Sequence, residues 1–209
     1  MDSVEYFNSI ANQWNVIREE YFEEKLKYIA LSQFDIKGKI CADLGCGTGF
    51  ISLALLQEAK IVFSIDNSRN MLRELHTIAA RKGLKNIYPI KGSMEDLPLF
   101  YNSIDRIYIN MALHHIFDAK RAIEEMYRVL KKDGTVVITD VEEHNGEWAR
   151  TEMHDEWLGF SHKQMKSWLE EVGLNQVQVN STELKCKGYS SKGEYTETGI
   201  FIAKGIKEE

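Results

Sequence analysis

Lys39-Ile-Cys-Ala-Asp-Leu-Gly-Cys-Gly-Thr-Gly-Phe-Ile-Ser-Leu53 is the stretch from which the fold is read. Ile40 to Leu44 is a short apolar run of the kind that forms a buried parallel strand. It enters Gly45-Cys46-Gly47-Thr48-Gly49 directly, and an apolar helical pattern starts at Phe50. Strand, glycine bend and helix together predict an open α/β sheet with its ligand crevice at the carboxyl ends of the strands. Gly45 and Gly47 let the backbone turn sharply and approach a ligand where a Cβ would collide. The free N–H groups of the helix start would face that ligand.

Asp43 sets the expected chemistry. A carboxylate aimed into a pyrophosphate site would repel it. It suits a ligand that carries an ammonium group, which points away from NAD and towards S-adenosylmethionine, a nucleoside with an amino-acid end and no phosphates. Asp66 closes a second apolar run, Ile61-Val-Phe-Ser-Ile65, about twenty residues on, where doubly wound nucleotide folds place an acidic residue on the ribose hydroxyls. One carboxylate accepts two hydroxyl donors, so the residue type follows from the task. Asp66-Asn67-Ser68 also suits the cap of the helix carrying Met71, Leu72, Leu75, Ile78 and Ala79, and Ser68 can cap while Asp66 binds.

Asp43-Leu-Gly-Cys-Gly-Thr-Gly49 resembles the first motif of class I S-adenosylmethionine-dependent methyltransferases. More narrowly, it is similar to the small enzymes grouped with the ubiquinone/menaquinone-biosynthesis C-methyltransferases. The likeness runs from about residue 5 to 140 and thins afterwards. It implies a Rossmann-like, doubly wound, seven-stranded, mostly parallel sheet of order 3-2-1-4-5-7-6. The last strand would be antiparallel, with helices on both faces and an N-terminal helical lid. It also implies cofactor contacts at Asp43, Gly45, Cys46, Gly47, Asp66, Asn67 and Met71. Further contacts would come from Ser93, Met94 and Glu95 at the adenine and from Asn110 and Met111 at the methionine end. Tyr6 and Trp14 of the leading helix would wall the acceptor pocket. His115, in the loop Asn110-Met-Ala-Leu-His-His-Ile116, is the candidate general base.

The whole chain of 209 residues is expected to be one domain. Its parts would be a lid at 1–33, a cofactor-binding core at 34–141 and a substrate-side segment at 142–209. Asp2 to Leu31 predicts two amphipathic helices, and Phe50 to Glu58 a crossover helix. Strands are expected at Asn86–Ile90, where Pro89 fits an edge, and at Ser103–Ile109, Thr135–Thr139, Gln176–Val179 and Gly199–Ala203. A helix over Ala119–Leu130 leads into the fifth strand through an Asp133-Gly134 turn. Asp140 to Phe160 is irregular, and His144, His154, Asp155 and Trp157 could line a pocket there. His154, Asp155 and His162 lack the tight spacing of a metal site, so no metal is expected.

Net charge is −6 and no lysine/arginine run is longer than Lys131-Lys132, which argues against general nucleic-acid binding. No apolar run approaches the roughly 20 residues that span a bilayer. The three cysteines and the acidic Met1-Asp-Ser-Val-Glu start fit a reducing cytoplasm. The expected partner is a small-molecule methyl acceptor, with the chain as monomer or homodimer. A soft or easily ionised acceptor needs no strong base, and the sequence offers no clear one. A non-catalytic S-adenosylmethionine-binding partner protein and an NAD(P)-dependent oxidoreductase are the rival readings. The latter would want G-x-G-x-x-G, whereas the third glycine here comes one residue early.

Overall fold

The structure, a computed structural model, describes residues 2–208. Its centre is one seven-stranded sheet of order β3-β2-β1-β4-β5-β7-β6. The strands are β1 Ile40–Leu44, β2 Ile61–Asp66, β3 Ile87–Lys91, β4 Ile104–Asn110, β5 Leu130–Val141, β6 Asn175–Tyr189 and β7 Tyr195–Lys207. β1 to β5 pair in parallel, and β7 runs antiparallel between β5 and β6. Cys41, Ala42 and Leu44 of β1 are fully buried, as expected for a strand covered on both faces.

Helices α5 (Arg69–Arg81), α6 (Ala119–Val129) and α7 (His162–Glu171) cover the sheet, each with a side-chain cap, from Ser68, Asp118 and Ser161. The order reverses beside β1, where β2 and β4 pair on either side of it, so a crevice opens past its carboxyl end. Pro89 lies in edge strand β3. The sheet order, the antiparallel last strand and the flanking helices match the sequence expectation. No helix among the described residues is long and apolar enough to cross a membrane.

Several local expectations are corrected. The N-terminal segment forms three helices, α1 Ser3–Ile10, α2 Trp14–Tyr21 and α3 Lys25–Leu31. The chain turns between α1 and α2, bringing Phe7 and Trp14 edge to face at 5.3 Å. In the first crossover only Ser52–Leu55, α4, is regular, because the turns around it mix three- and four-residue hydrogen bonds. Asp133-Gly134 is not a turn ahead of β5 but an irregularity inside it, with Asp133 at φ +60° and a register shift against β4. β6 and β7 are far longer than their apolar cores suggest. Their outer halves carry alternating polar residues and close through Gly193 at φ +82°.

Candidate active site

The glycine bend is fixed from below and from the side. The Gly45 and Cys46 amides both donate to the Ile65 carbonyl, at 2.8 and 3.1 Å. Gly45 and Gly47 have φ of +67° and +51°. A Cβ on Gly45 would stand 2.6 Å from Ala112 Cβ and 2.8 Å from Met94 Cε, so only a bare backbone fits. Asp66 Oδ2 accepts the Gly47 N–H at 2.8 Å, and Oδ1 accepts the Ser68 N–H at 2.7 Å. Ser68 in turn caps α5 through the Met71 amide. Burial pushes the Asp66 carboxyl upward, while the two backbone donors pull it back.

A cavity of about 250 Å³ opens over this bend. Of the residues expected around a cofactor, it brings together Gly45, Cys46, Gly47, Asp66, Asn67, Met71, Met94, Glu95, Asn110 and Met111. Trp14 and His115 line it too. Ser93 does not reach the cavity; its hydroxyl instead accepts the Glu95 amide.

Asp43 is the main correction. It is 1% exposed and does not line the cavity. Its Oδ2 accepts both the amide and the hydroxyl of Ser52, at 2.8 and 2.6 Å, behind the bend. Burial pushes this carboxyl up to about 7 despite those two bonds. Asp43 therefore anchors the start of α4 and stiffens the bend, where the sequence suggests a hand reaching into the crevice.

A second cavity, about 70 Å³, adjoins the first. Trp14, Phe22, Met111 and His115 line both. Met111 sits at φ +52°, an uncommon conformation for a long side chain, where the two spaces meet. His144, Trp148, Asp155 and Cys186 line the second space. Tyr6, His154 and Trp157, expected at the acceptor pocket, line neither. The Tyr6 hydroxyl donates to Met153 Sδ at 3.5 Å, and its ring lies 5.2 Å from that of His154. Trp157 donates to the Ile116 carbonyl at 2.9 Å and packs on Phe160 and Trp168, because its indole belongs to the core.

Arg18 is the residue that sequence reasoning missed. It lines the larger cavity and is 4% exposed. Its guanidinium lies 4.2 Å from the centre of the Phe50 ring, and one nitrogen bonds Glu24 at 2.9 Å. Nε and Nη1 are buried without a hydrogen-bond partner. A half-satisfied buried guanidinium is costly unless something anionic joins it. Phe7, Phe22 and Phe50 also line this cavity unforeseen. Two side-chain amides tie α1 and α2 to the start of α5 and to the glycine bend. Asn8 Oδ1 accepts from Ser68 Oγ and from the Asn70 amide, and Asn15 Oδ1 accepts from Thr48 Oγ1 at 2.7 Å.

His114 and His115 part ways. His114 Nδ1 meets Asp140 Oδ1 at 2.5 Å, and Asp140 also accepts the Leu113 and Val141 amides. Burial pulls the His114 imidazole down, but the Asp140 and Asp155 carboxylates outweigh it and hold the group up at about 9. His115 is driven well below the ordinary histidine range by burial and by its charged neighbour. It faces both cavities with its ring against Phe7, 4.9 Å between centroids.

Comparison with known proteins points to one family. The family described as a methyltransferase domain matches residues 35–198. The uncharacterized methyltransferase YcgJ of Bacillus subtilis is 33% identical over 98 residues, 47% of this chain and 39% of YcgJ. The demethylmenaquinone methyltransferase of Geobacillus stearothermophilus is 35% identical over 105 residues, 48% of this chain and 44% of that protein. In both cases the match spans less than half the length of the curated relative. A crystal structure of a SAM-dependent methyltransferase from Aquifex aeolicus superposes with a TM-score of 0.69, at 21% identity, over 96% of this chain and 98% of that one. At that identity the likeness speaks for the fold.

Proposed function

The chain belongs to the methyltransferase-domain family, and from that premise we propose that it uses S-adenosylmethionine to methylate a small-molecule acceptor. The observation that carries this is the pair of adjoining cavities. The larger has a glycine bend, a carboxylate and a buried cation along its wall, and the smaller opens past Met111 and His115. Asp66 has lone pairs left for the ribose hydroxyls after accepting Gly47 and Ser68. Met71 and Met94 offer flat apolar contact for the adenine, with Glu95 as acceptor for its amine. Arg18 takes the carboxylate of the methionine tail with its two unpartnered nitrogens, Nε and Nη1. Asn110 and Met111 then meet the sulfonium end.

The sulfonium methyl is already activated. The acceptor's lone pair attacks the methyl carbon in line, the carbon–sulfur bond breaks, and its electron pair leaves neutral S-adenosylhomocysteine. The protein's main contribution is to hold the two atoms in near-attack geometry. A second space of about 70 Å³, walled by Trp14, Tyr21, Phe22 and Trp148, suits a small acceptor with apolar surface. An overall charge of −6 does not favour a polyanion. A non-catalytic S-adenosylmethionine-binding partner would have no use for that second space. The reading further takes residues 1–209 as one catalytic unit, working in the cytoplasm as monomer or homodimer.

Two assays test it. Calorimetry with S-adenosylmethionine and with NADH separates cofactor classes. Release of labelled methyl across a panel of thiols, phenols and amines separates an enzyme from a binding partner. Heat with NADH alone, or tight S-adenosylmethionine binding with no acceptor in the panel methylated and no second ligand bound, overturns the proposal.

A further inference from the structure

We propose that His114, His115 and Asp155 form a divalent transition-metal site facing the second cavity. Each of the three can offer one ligand atom, His114 by releasing its Nε2 proton to solvent as the ion binds, and these atoms lie within 4.8 Å of one another. Asp155 Oδ1 stands 3.2 Å from His115 Nδ1 and 3.9 Å from His114 Nε2. Ligands on one tetrahedral ion at about 2.1 Å stand roughly 3.4 Å apart, so small side-chain rotations close the set.

Three observations separate this cluster from an ordinary buried ion pair. First, Asp155 Oδ1 is buried and has no hydrogen-bond partner, although a histidine nitrogen is 3.2 Å away. The atoms approach without the alignment that a hydrogen bond needs. An orphaned buried carboxylate oxygen is expensive, and a shared cation removes that cost. Second, the outer partner is already built. The Asp140 carboxylate meets His114 Nδ1, accepts the Leu113 and Val141 amides as well, and so fixes the His114 ring with Nε2 turned towards Asp155. A carboxylate behind a histidine is the usual support of a metal ligand. Third, all three residues line the second cavity, so ligand positions stay open on that side. The one competing contact is the His154 carbonyl, 3.5 Å from His115 Nδ1, at the outer limit of a hydrogen bond.

Two imidazoles and one carboxylate suit Zn²⁺, Co²⁺ or Fe²⁺ and not the harder Mg²⁺ or Ca²⁺. Resting on the acceptor reading above, the ion has a role: it holds the acceptor's thiol or hydroxyl in the second cavity and lowers its pKa. The proton goes to solvent, and the resulting anion attacks the methyl carbon. This supplies the activation for which the site holds no strong free base.

The test uses Co²⁺ as the probe, added to the full chain stripped with EDTA. Wild type is expected to take up one equivalent, with visible bands of a four- or five-coordinate ion. His115→Ala and Asp155→Asn are expected to lose at least 90% of that uptake, and His76→Ala, on the exposed face of α5, to keep it. Circular dichroism on the same samples reports folding, and S-adenosylhomocysteine calorimetry on Asp155→Asn, whose changed residue lies outside the larger cavity, reports the cofactor site. Should the variants misfold, nitrogen NMR of ¹⁵N-histidine in wild type with Zn²⁺ replaces them. Large shifts confined to two of the six histidines support the site. Co²⁺ uptake that is absent in wild type, equal in His115→Ala, or accompanied by Zn²⁺ shifts elsewhere overturns it. Cofactor heat without metal uptake sinks only this inference; metal uptake without cofactor heat sinks only the function proposed above.

Discussion

Asp66 Oδ2 accepts the Gly47 amide at 2.8 Å, so the end of β2 and the bend after β1 move as one piece. The same carboxylate that lines the larger cavity also shapes the glycine bend beneath it. Asp66→Ala therefore removes two things together. Cofactor affinity is expected to fall about a hundredfold, and folding stability by about 2 kcal/mol as the Gly47 and Ser68 amides lose a charged acceptor. Asp66→Asn keeps an acceptor and should recover most of the stability but not the affinity. Calorimetry and urea titration on both variants check this.

Arg18 is expected to read the amino-acid tail alone. Arg18→Gln should weaken S-adenosylmethionine and S-adenosylhomocysteine ten- to a hundredfold, the range of one charge-assisted contact. Methylthioadenosine, which lacks that tail, should bind wild type and variant alike. Competition calorimetry with the three ligands is the measurement, and an equal loss for methylthioadenosine would place Arg18 elsewhere.

Gly45→Ala forces a Cβ to 2.6 Å from Ala112 at φ +67°. The expected result is a loss of at least about 1 kcal/mol of stability together with loss of cofactor binding. Gly83, also at positive φ but with nothing within 4 Å of where its Cβ would stand, serves as control. Gly83→Ala should cost stability of similar size and leave binding intact.

The pH dependence of stability carries the signature of Asp43. Its folded carboxyl stands near 7, against 3.8 ordinarily. A raised carboxyl means that the folded state holds the proton more tightly. Its stabilising effect is full below about pH 4 and is lost as pH rises through 7. Between pH 5 and 8 the urea midpoint of wild type should therefore fall. Asp66 shifts in the same direction. Asp43→Asn can still accept from Ser52 and should show a shallower fall over that interval. An equal slope in the variant would mean that Asp43 is ionised throughout.

The cofactor side is legible in the sequence because its signals are local. Gly45, Gly47, Asp66 and Met71 sit at spacings set by one strand–helix–strand unit, and the sheet order rests on the resemblance of that unit to a known family. The direction of Asp43 is not legible, because β1 is buried almost throughout. Such a strand shows no alternation from which to tell the side of the crevice from the side of α4. Arg18 looks like any charged residue of an amphipathic helix. Its burial depends on Phe22 and Phe50, which only the fold brings to it. Asp155 meets His114 and His115 across some forty residues and an irregular segment, beyond the reach of any spacing rule. Tyr6 and Trp157 read as aromatic walls of a pocket, but a neighbouring sulfur holds the first and the core holds the second.

The most direct measurement is a calorimetric titration of the purified chain with S-adenosylhomocysteine and, separately, NADH. One equivalent of S-adenosylhomocysteine should bind at micromolar Kd or tighter in wild type, much more weakly in Asp66→Ala, with no heat from NADH. Binding of NADH, or S-adenosylhomocysteine heat that is absent or indifferent to residue 66, would contradict the assignment of this crevice.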